Sequence, residues 1–140
     1  EVLLKHMEDH RKDLIVIAAG YTEEMGRFIH ANPGLESRFN KYFYFEDYSA
    51  SQLVEIFRSM CRKNGYTLDE DALACVEEVF QALHAERDEN FGNAREVRNV
   101  FEKAVARQAD RVAQMGDPGR EELMALRRAD LEEERGNGGA

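Results

Sequence analysis

The spacing of apolar positions changes twice along the chain, and each change predicts a different kind of element. Val2, Leu3, Leu4 and Met7 recur at helical spacing from the first residues, with no capping residue before them. Residues 14–19, Leu-Ile-Val-Ile-Ala-Ala, then run without a polar break up to Gly20, which predicts a strand buried on both faces, as in a central parallel sheet. Helical spacing returns over 22–32 through Met25, Phe28 and Ile29, and Pro33 and Gly34 end it. Arg38 follows in a short connection, and the aromatic run Tyr42, Phe43, Tyr44, Phe45 predicts a second strand closed by Glu46 and Asp47.

Beyond Asp47 only helical spacing remains until residue 115. Ser49 with Gln52 predicts a capping box, and Leu53, Ile56, Phe57 and Met60 form one face up to Asn64 and Gly65. A second helix begins near Asp69 with Leu73, Val76, Phe80 and Leu83 on one face, and 86–90 breaks it. A third begins at Asn93, with Glu96 as its box partner, and buries Val97, Val100, Phe101, Ala104 and Val105. Three such faces can close a small helical core. Gly116, Asp117, Pro118 and Gly119 interrupt the pattern. Residues 120–135 then read as a charged helix anchored by Leu123, Leu126 and Leu131, and 136–140 as a disordered tail. The pattern divides the chain into a piece of buried α/β sheet up to about Asp47 and an all-helical unit, with a hinge between them.

Composition narrows the partners. With 140 residues and 43% apolar content the chain can bury one core and a small satellite. A formal net charge of −9 argues against a polyphosphate backbone as partner, so nucleic acid is not expected. Cys61 and Cys75 lack CxxC spacing and read as reduced core thiols of a cytoplasmic protein. No apolar run approaches the ~20 residues that span a bilayer, and the first residues lack a signal-peptide pattern, so no membrane association is expected.

Gly92-Asn93-Ala94-Arg95 places a cation in the first turn of a helix, where the backbone dipole is already positive. Either Glu96 compensates Arg95 internally or a phosphate is brought to the helix start. Arg38, between the Pro-Gly turn and the aromatic strand, either pairs with Glu36 or Glu46 on the surface or projects its planar fork to a phosphate across an interface. Tyr21 and Thr22 follow the carboxyl end of the first strand, where ligands sit in open parallel sheets, although Thr22 can also cap the next helix. His6 and His10 are four apart but lack further ligands at matching spacing, so no metal site is expected. Neither a GxxxxGK[ST] loop nor an apolar strand ending in Asp-Glu occurs in these 140 residues, so the chain alone is not expected to hydrolyse ATP.

Residues 14–21, then Asn32-Pro33-Gly34-Leu35 to Ser37-Arg38-Phe39, then Gly92-Asn93-Ala94-Arg95 to Arg98-Asn99 closely resemble, in order and approximate spacing, the CbbX/CfxQ and stage V sporulation protein K family of AAA+ ATPases. The likeness covers most of 1–115, and Ser37-Arg38-Phe39 with the aromatic strand resembles the sporulation branch more than the Rubisco activase branch. It implies a mainly α chain, with a C-terminal remnant of a P-loop α/β AAA+ core holding two short strands (1–47), an α-helical AAA+ lid bundle (48–115), and the charged helix and tail (116–140). It also implies that Arg38 is the arginine finger acting in trans, that Arg95 is sensor 2 contacting nucleotide together with Gly92 and Asn93, and that Thr22 is the sensor-1 candidate. There the chain departs from the wider pattern, with small residues in place of the usual Asn, Thr or Asp.

The family's ATP-binding loop, acidic Mg²⁺-binding strand and substrate-threading loop would precede Glu1, so ATP and Mg²⁺ belong to the parent and none is expected on this segment. The expected partners are neighbouring AAA+ subunits in a homo-oligomeric ring and an unidentified protein substrate. Family topology places a further strand between the two read here, and without it their apolar edges favour a dimer. The alternative function is a non-catalytic helical protein-interaction module built on residues 49–112.

Overall fold

The computed structural model describes residues 1–132, and the chain divides into two compact units, Glu1–Glu46 and Asp47 onward. The first unit holds three helices. α1 spans Val2–Asp9, α2 Thr22–His30 and α3 Pro33–Arg38. α2 ends before the Pro-Gly pair, as expected, and the pair also starts α3. Pro33 stands in its first turn, where a missing N–H costs nothing, and the Asn32 side chain accepts the Gly34 N–H at 2.9 Å. Arg38 therefore closes a helix and does not lie in a connection.

Residues 14–19 and 42–45, expected as strands, carry no ladder. Ile15 is 87% exposed, Ile17 89%, Phe43 81% and Phe45 89%, so one face of each segment is open, while Val16 on the other face of the first is half-buried. Ile29 and Leu35 are the buried hydrophobic side chains of this unit. The apolar run predicted burial correctly only on the condition that neighbouring strands cover it; a local pattern cannot supply them.

The second unit is the helical bundle that the spacing predicts. α4 spans Ala50–Asn64, α5 Glu70–Ala85 and α6 Ala94–Ala113. Ser49 and Gln52 form the expected capping box, with Gln52 N–H donating to Ser49 Oγ at 3.2 Å and Ser49 N–H to Gln52 Oε1 at 2.9 Å. Gly65 ends α4 at a φ of 78°, and the Tyr66 N–H returns to the Cys61 carbonyl at 2.9 Å. Leu53 and Phe57 of α4, Cys75, Val76 and Phe80 of α5, and Val97 of α6 are buried in one core. Burial pushes the Cys61 thiol up to about 11, as expected of a core thiol.

The segment after α6 differs most from expectation. In place of one charged helix there are α7 (Arg120–Met124), β2 (Ala125–Leu126) and α8 (Arg128–Leu131). β2 pairs in parallel with β1 (Thr67–Leu68), Thr67 opposite Ala125 and Leu68 opposite Leu126. The chain breaks its helix because Leu126 and Leu131 both fill the bundle core, and positions five apart on a continuous helix of period 3.6 would point about 140° apart. The fold is thus mainly α with two short strands, but the strands lie elsewhere than expected, and Leu126 and Leu131 of the closing segment belong to the core of the helical bundle. The tail expected over 136–140 lies outside the described residues. No helix among the described residues is long and apolar enough to cross a membrane.

Arginines hold this closing segment in place. Asp130, 1% exposed, takes Arg111 bidentately, Nε to Oδ1 at 2.9 Å and Nη2 to Oδ2 at 3.0 Å, and also accepts the Arg127 N–H at 2.8 Å. Arg127 bridges Glu122 at 2.6 Å and Asp69, the N-cap of α5, at 2.8 Å. Gln108, also buried, donates Nε2 to the Leu123 carbonyl at 2.8 Å. The Arg127 and Arg111 guanidiniums hold the Glu122 carboxyl below its ordinary 4.5, and the Ala72 N–H and Arg127 hold Asp69 below 3.8.

Because both folded values are depressed, their contribution is complete above the ordinary values and is lost as pH falls through the folded ones. Urea unfolding midpoints should stay level from about pH 7 to about pH 5 and fall below about pH 4.5. Arg127→Ala should flatten that acid slope. An unchanged slope in this variant would mean that Arg127 does not set it.

Candidate functional site

The residues singled out in the sequence fall into two groups, one in each unit. In the first unit Thr22 and Arg38 line one cleft of about 1530 Å³, together with residues of the two extended segments. Thr22 is the first residue of α2 and exposed. The N-cap is Tyr21, which makes no side-chain cap bond, so Thr22 is not the cap.

Arg38 is already engaged. Its Nη1 donates to the Gly34 carbonyl one turn back at 3.1 Å, and Nη2 to Glu8 Oε2 of α1 at 2.7 Å. The partner is neither Glu36 nor Glu46. Arg38 remains 29% and Glu8 66% exposed, so the pair is an accessible one that fixes the direction of the guanidinium more than it stabilises the unit.

In the second unit Gly92, Asn93 and Arg95 are brought together by the turn into α6. Arg95 lies exposed in the first turn of a 20-residue helix and makes no ion pair or side-chain hydrogen bond among the described residues. Glu96 does not compensate it. A cation held at a positive helix end without a partner is mildly unfavourable, by roughly 0.3–1 kcal/mol.

Asn93 departs from the box that was expected of it. Its side chain makes no cap bond to α6; Oδ1 accepts the Tyr48 N–H at 2.8 Å, and Nδ2 donates to Asp47 Oδ1 at 2.9 Å and to the Phe91 carbonyl at 3.1 Å. Its backbone sits at φ 51° and ψ −115°, a conformation suited to glycine, at a cost of about 1–3 kcal/mol for other residues. A Cβ on Gly92 would stand 3.0 Å from Glu96 Oε1 and 3.3 Å from Arg95 Cβ, so the turn closes tightly onto its own helix.

Sequence reading missed Asp47 and Arg87. Asp47 Oδ2 lies 3.3 Å from Arg87 Nε, while its other oxygen serves Asn93. The available signal was slight: an acid ending an aromatic run and a base after a helix, 40 residues apart. Among the described residues no group of three or more His, Cys, Asp or Glu is placed to hold a metal ion.

Comparison with known proteins bears on this geometry. A family model described as AAA lid domain matches residues 49–139. Stage V sporulation protein K of Bacillus subtilis (strain 168) is 39% identical over 133 residues, which cover 94% of this chain and 41% of that protein. Protein CfxQ of Xanthobacter flavus is 39% identical over 116 residues, 83% of this chain and 36% of the relative. The chloroplastic ribulose bisphosphate carboxylase/oxygenase activase of Cyanidioschyzon merolae (strain NIES-3377 / 10D) is 40% identical over 114 residues, 80% and 38% respectively. The chain thus spans roughly two fifths of the length of these curated relatives.

Proposed function

Since the chain belongs to the AAA lid domain family, among AAA+ proteins of the CfxQ and stage V sporulation protein K group, we propose that it is the phosphate-sensing half of a ring-forming, ATP-driven protein-remodelling machine. The observation that carries this reading is Arg95, an exposed cation without a partner among the described residues at the positive end of a long helix. The lid forgoes stability there, and a γ-phosphate bound in the same subunit would supply the missing anion.

In this proposal Arg38 is the arginine finger. Its planar fork suits the equatorial oxygens of a phosphoryl group in a neighbouring subunit, where negative charge develops during transfer. Thr22, on the same cleft, is the sensor-1 candidate, and Gly92 and Asn93 shape the turn that presents Arg95 to nucleotide. ATP and Mg²⁺ are bound by the parent protein. Arg95 suits the phosphate, so the chemistry assigned to this chain is charge stabilisation and sensing. Neighbouring subunits are the partners, and the uncovered apolar residues of 14–19 and 42–45 are the surface on which another strand or a second copy would pair.

In the parent protein Arg95→Ala should lower ATP turnover about tenfold or more, as loss of one charge-stabilising donor does. In this chain the same change should leave the lid's unfolding midpoint level or slightly raised, because it removes a cation from a positive helix end. Turnover equal to wild type in assembled rings would instead favour the alternative, a helical interaction module without a catalytic part.

A further inference from the structure

Among the described residues Asn93 is the one non-glycine at positive φ, and it stands two positions before Arg95. Glycine would adopt this backbone freely, so a reason for asparagine must lie in its side chain. That amide uses both ends on residues 45 and 46 positions back in the chain, Tyr48 N–H and the Asp47 carboxylate, and a further donor bond on the Phe91 carbonyl. Arg87, just past α5, takes the other oxygen of Asp47. Three places in the sequence meet in one cluster of hydrogen bonds and an ion pair: the lead-in to α4, the α5–α6 connection and the start of α6.

We infer that Asn93, Asp47 and Arg87 form a clasp that positions Arg95, tying the first turn of α6 to the residues that lead into α4. The inference rests on the reading of Arg95 as the phosphate sensor. The three are positioning residues. Ser49 begins α4 with its own capping box, so Asp47 and Tyr48 are the last residues before a rigid helix. A displacement of this lead-in segment can be carried to the start of α6 through Asn93. The clasp thereby gives the lid a way to move Arg95 in response to the segment that precedes it.

Asn93→Gly separates the clasp from the backbone, because glycine keeps the φ of 51° and lacks the amide. In this chain the variant should retain its unfolding midpoint, while hydrogen exchange of the Tyr48 amide accelerates on the order of tenfold or more. Unchanged exchange would mean that the clasp is not held in solution, and would overturn the inference. In the parent protein Asn93→Gly and Asp47→Ala should each lower kcat several-fold, and either combined with Arg95→Ala should lose no more than Arg95→Ala alone, because the clasp acts through Arg95. Losses that multiply, or full turnover in Asn93→Gly beside a depressed Arg95→Ala, would overturn the clasp and leave the sensor reading standing. Full turnover in Arg95→Ala would overturn both.

Discussion

Replacing Phe57 with alanine will cost the second unit about 3–5 kcal/mol, the range for deleting a buried aromatic side chain and leaving its cavity. Phe57 is fully buried at the centre of an aromatic cluster, 5.8 Å from Phe80 and 5.9 Å from Phe101 between ring centroids, and Phe101 in turn meets Tyr66 edge-on at 5.9 Å. Three elements, α4, α5 and α6, share that one ring, so neighbouring side chains cannot refill the cavity without shifting a helix. For a domain whose whole stability is roughly 5–15 kcal/mol, this is a large part, and the melting temperature followed by circular dichroism should drop about 15–30 °C. Phe43→Ala, at a position 81% exposed, serves as the control and should change the midpoint by less than about 0.5 kcal/mol. A Phe57 variant that melts with the wild type would show that the bundle does not close on this ring.

Phe57 was legible in the sequence for the same reason that it matters. It lies on a face with Leu53 and Met60 at helical spacing, between a capping box and a left-handed glycine, so start, stop and buried side of α4 were all written locally. The same holds for α5, whose Asp69 cap bonds Ala72 N–H at 2.8 Å, and for the buried face of α6. What was not legible depended on residues far apart. Asp130 stands among Arg127, Arg128 and Glu132, a run that reads as a solvated face, yet it is 1% exposed because Arg111 arrives from 19 positions back. β1 and β2 are two residues each, too short for any alternation to register. Asn93 read as the cap of its own helix because its type and place suit a cap, and only the fold brings Asp47 and Tyr48 within reach of its amide. Residues 14–19 and 42–45 failed in the opposite direction. Their pattern states the surroundings that a strand requires, and no other segment of the first unit provides them.

Arg38→Ala in the parent protein should depress ATP turnover by about 10²–10³-fold, the cost of removing a preorganised charge donor from a phosphoryl-transfer site. The expectation belongs to the proposed role of Arg38 as a finger in trans. Its structural role can be measured separately, because the guanidinium also holds Glu8 at 2.7 Å. A pair this accessible contributes little, roughly 0–1 kcal/mol, so Arg38→Ala should barely change the stability of this chain. Glu8→Gln removes the ionic partner and leaves the guanidinium. If Arg38 mattered only for tying α3 to α1, the two substitutions would have equal effects on turnover; a finger predicts that Glu8→Gln retains most of it, while Arg38→Ala does not. Arg38→Lys should rescue little, since a single ammonium cannot reproduce the bidentate fork. Action in trans has its own signature in mixed rings. Subunits carrying Arg38→Ala but able to bind ATP should regain turnover when mixed with subunits that keep Arg38 but cannot bind ATP, because each class supplies what its neighbour lacks. Mixed rings as inactive as either parent would place Arg38 outside the neighbouring nucleotide site, and would leave the Glu8 pair as the role of Arg38.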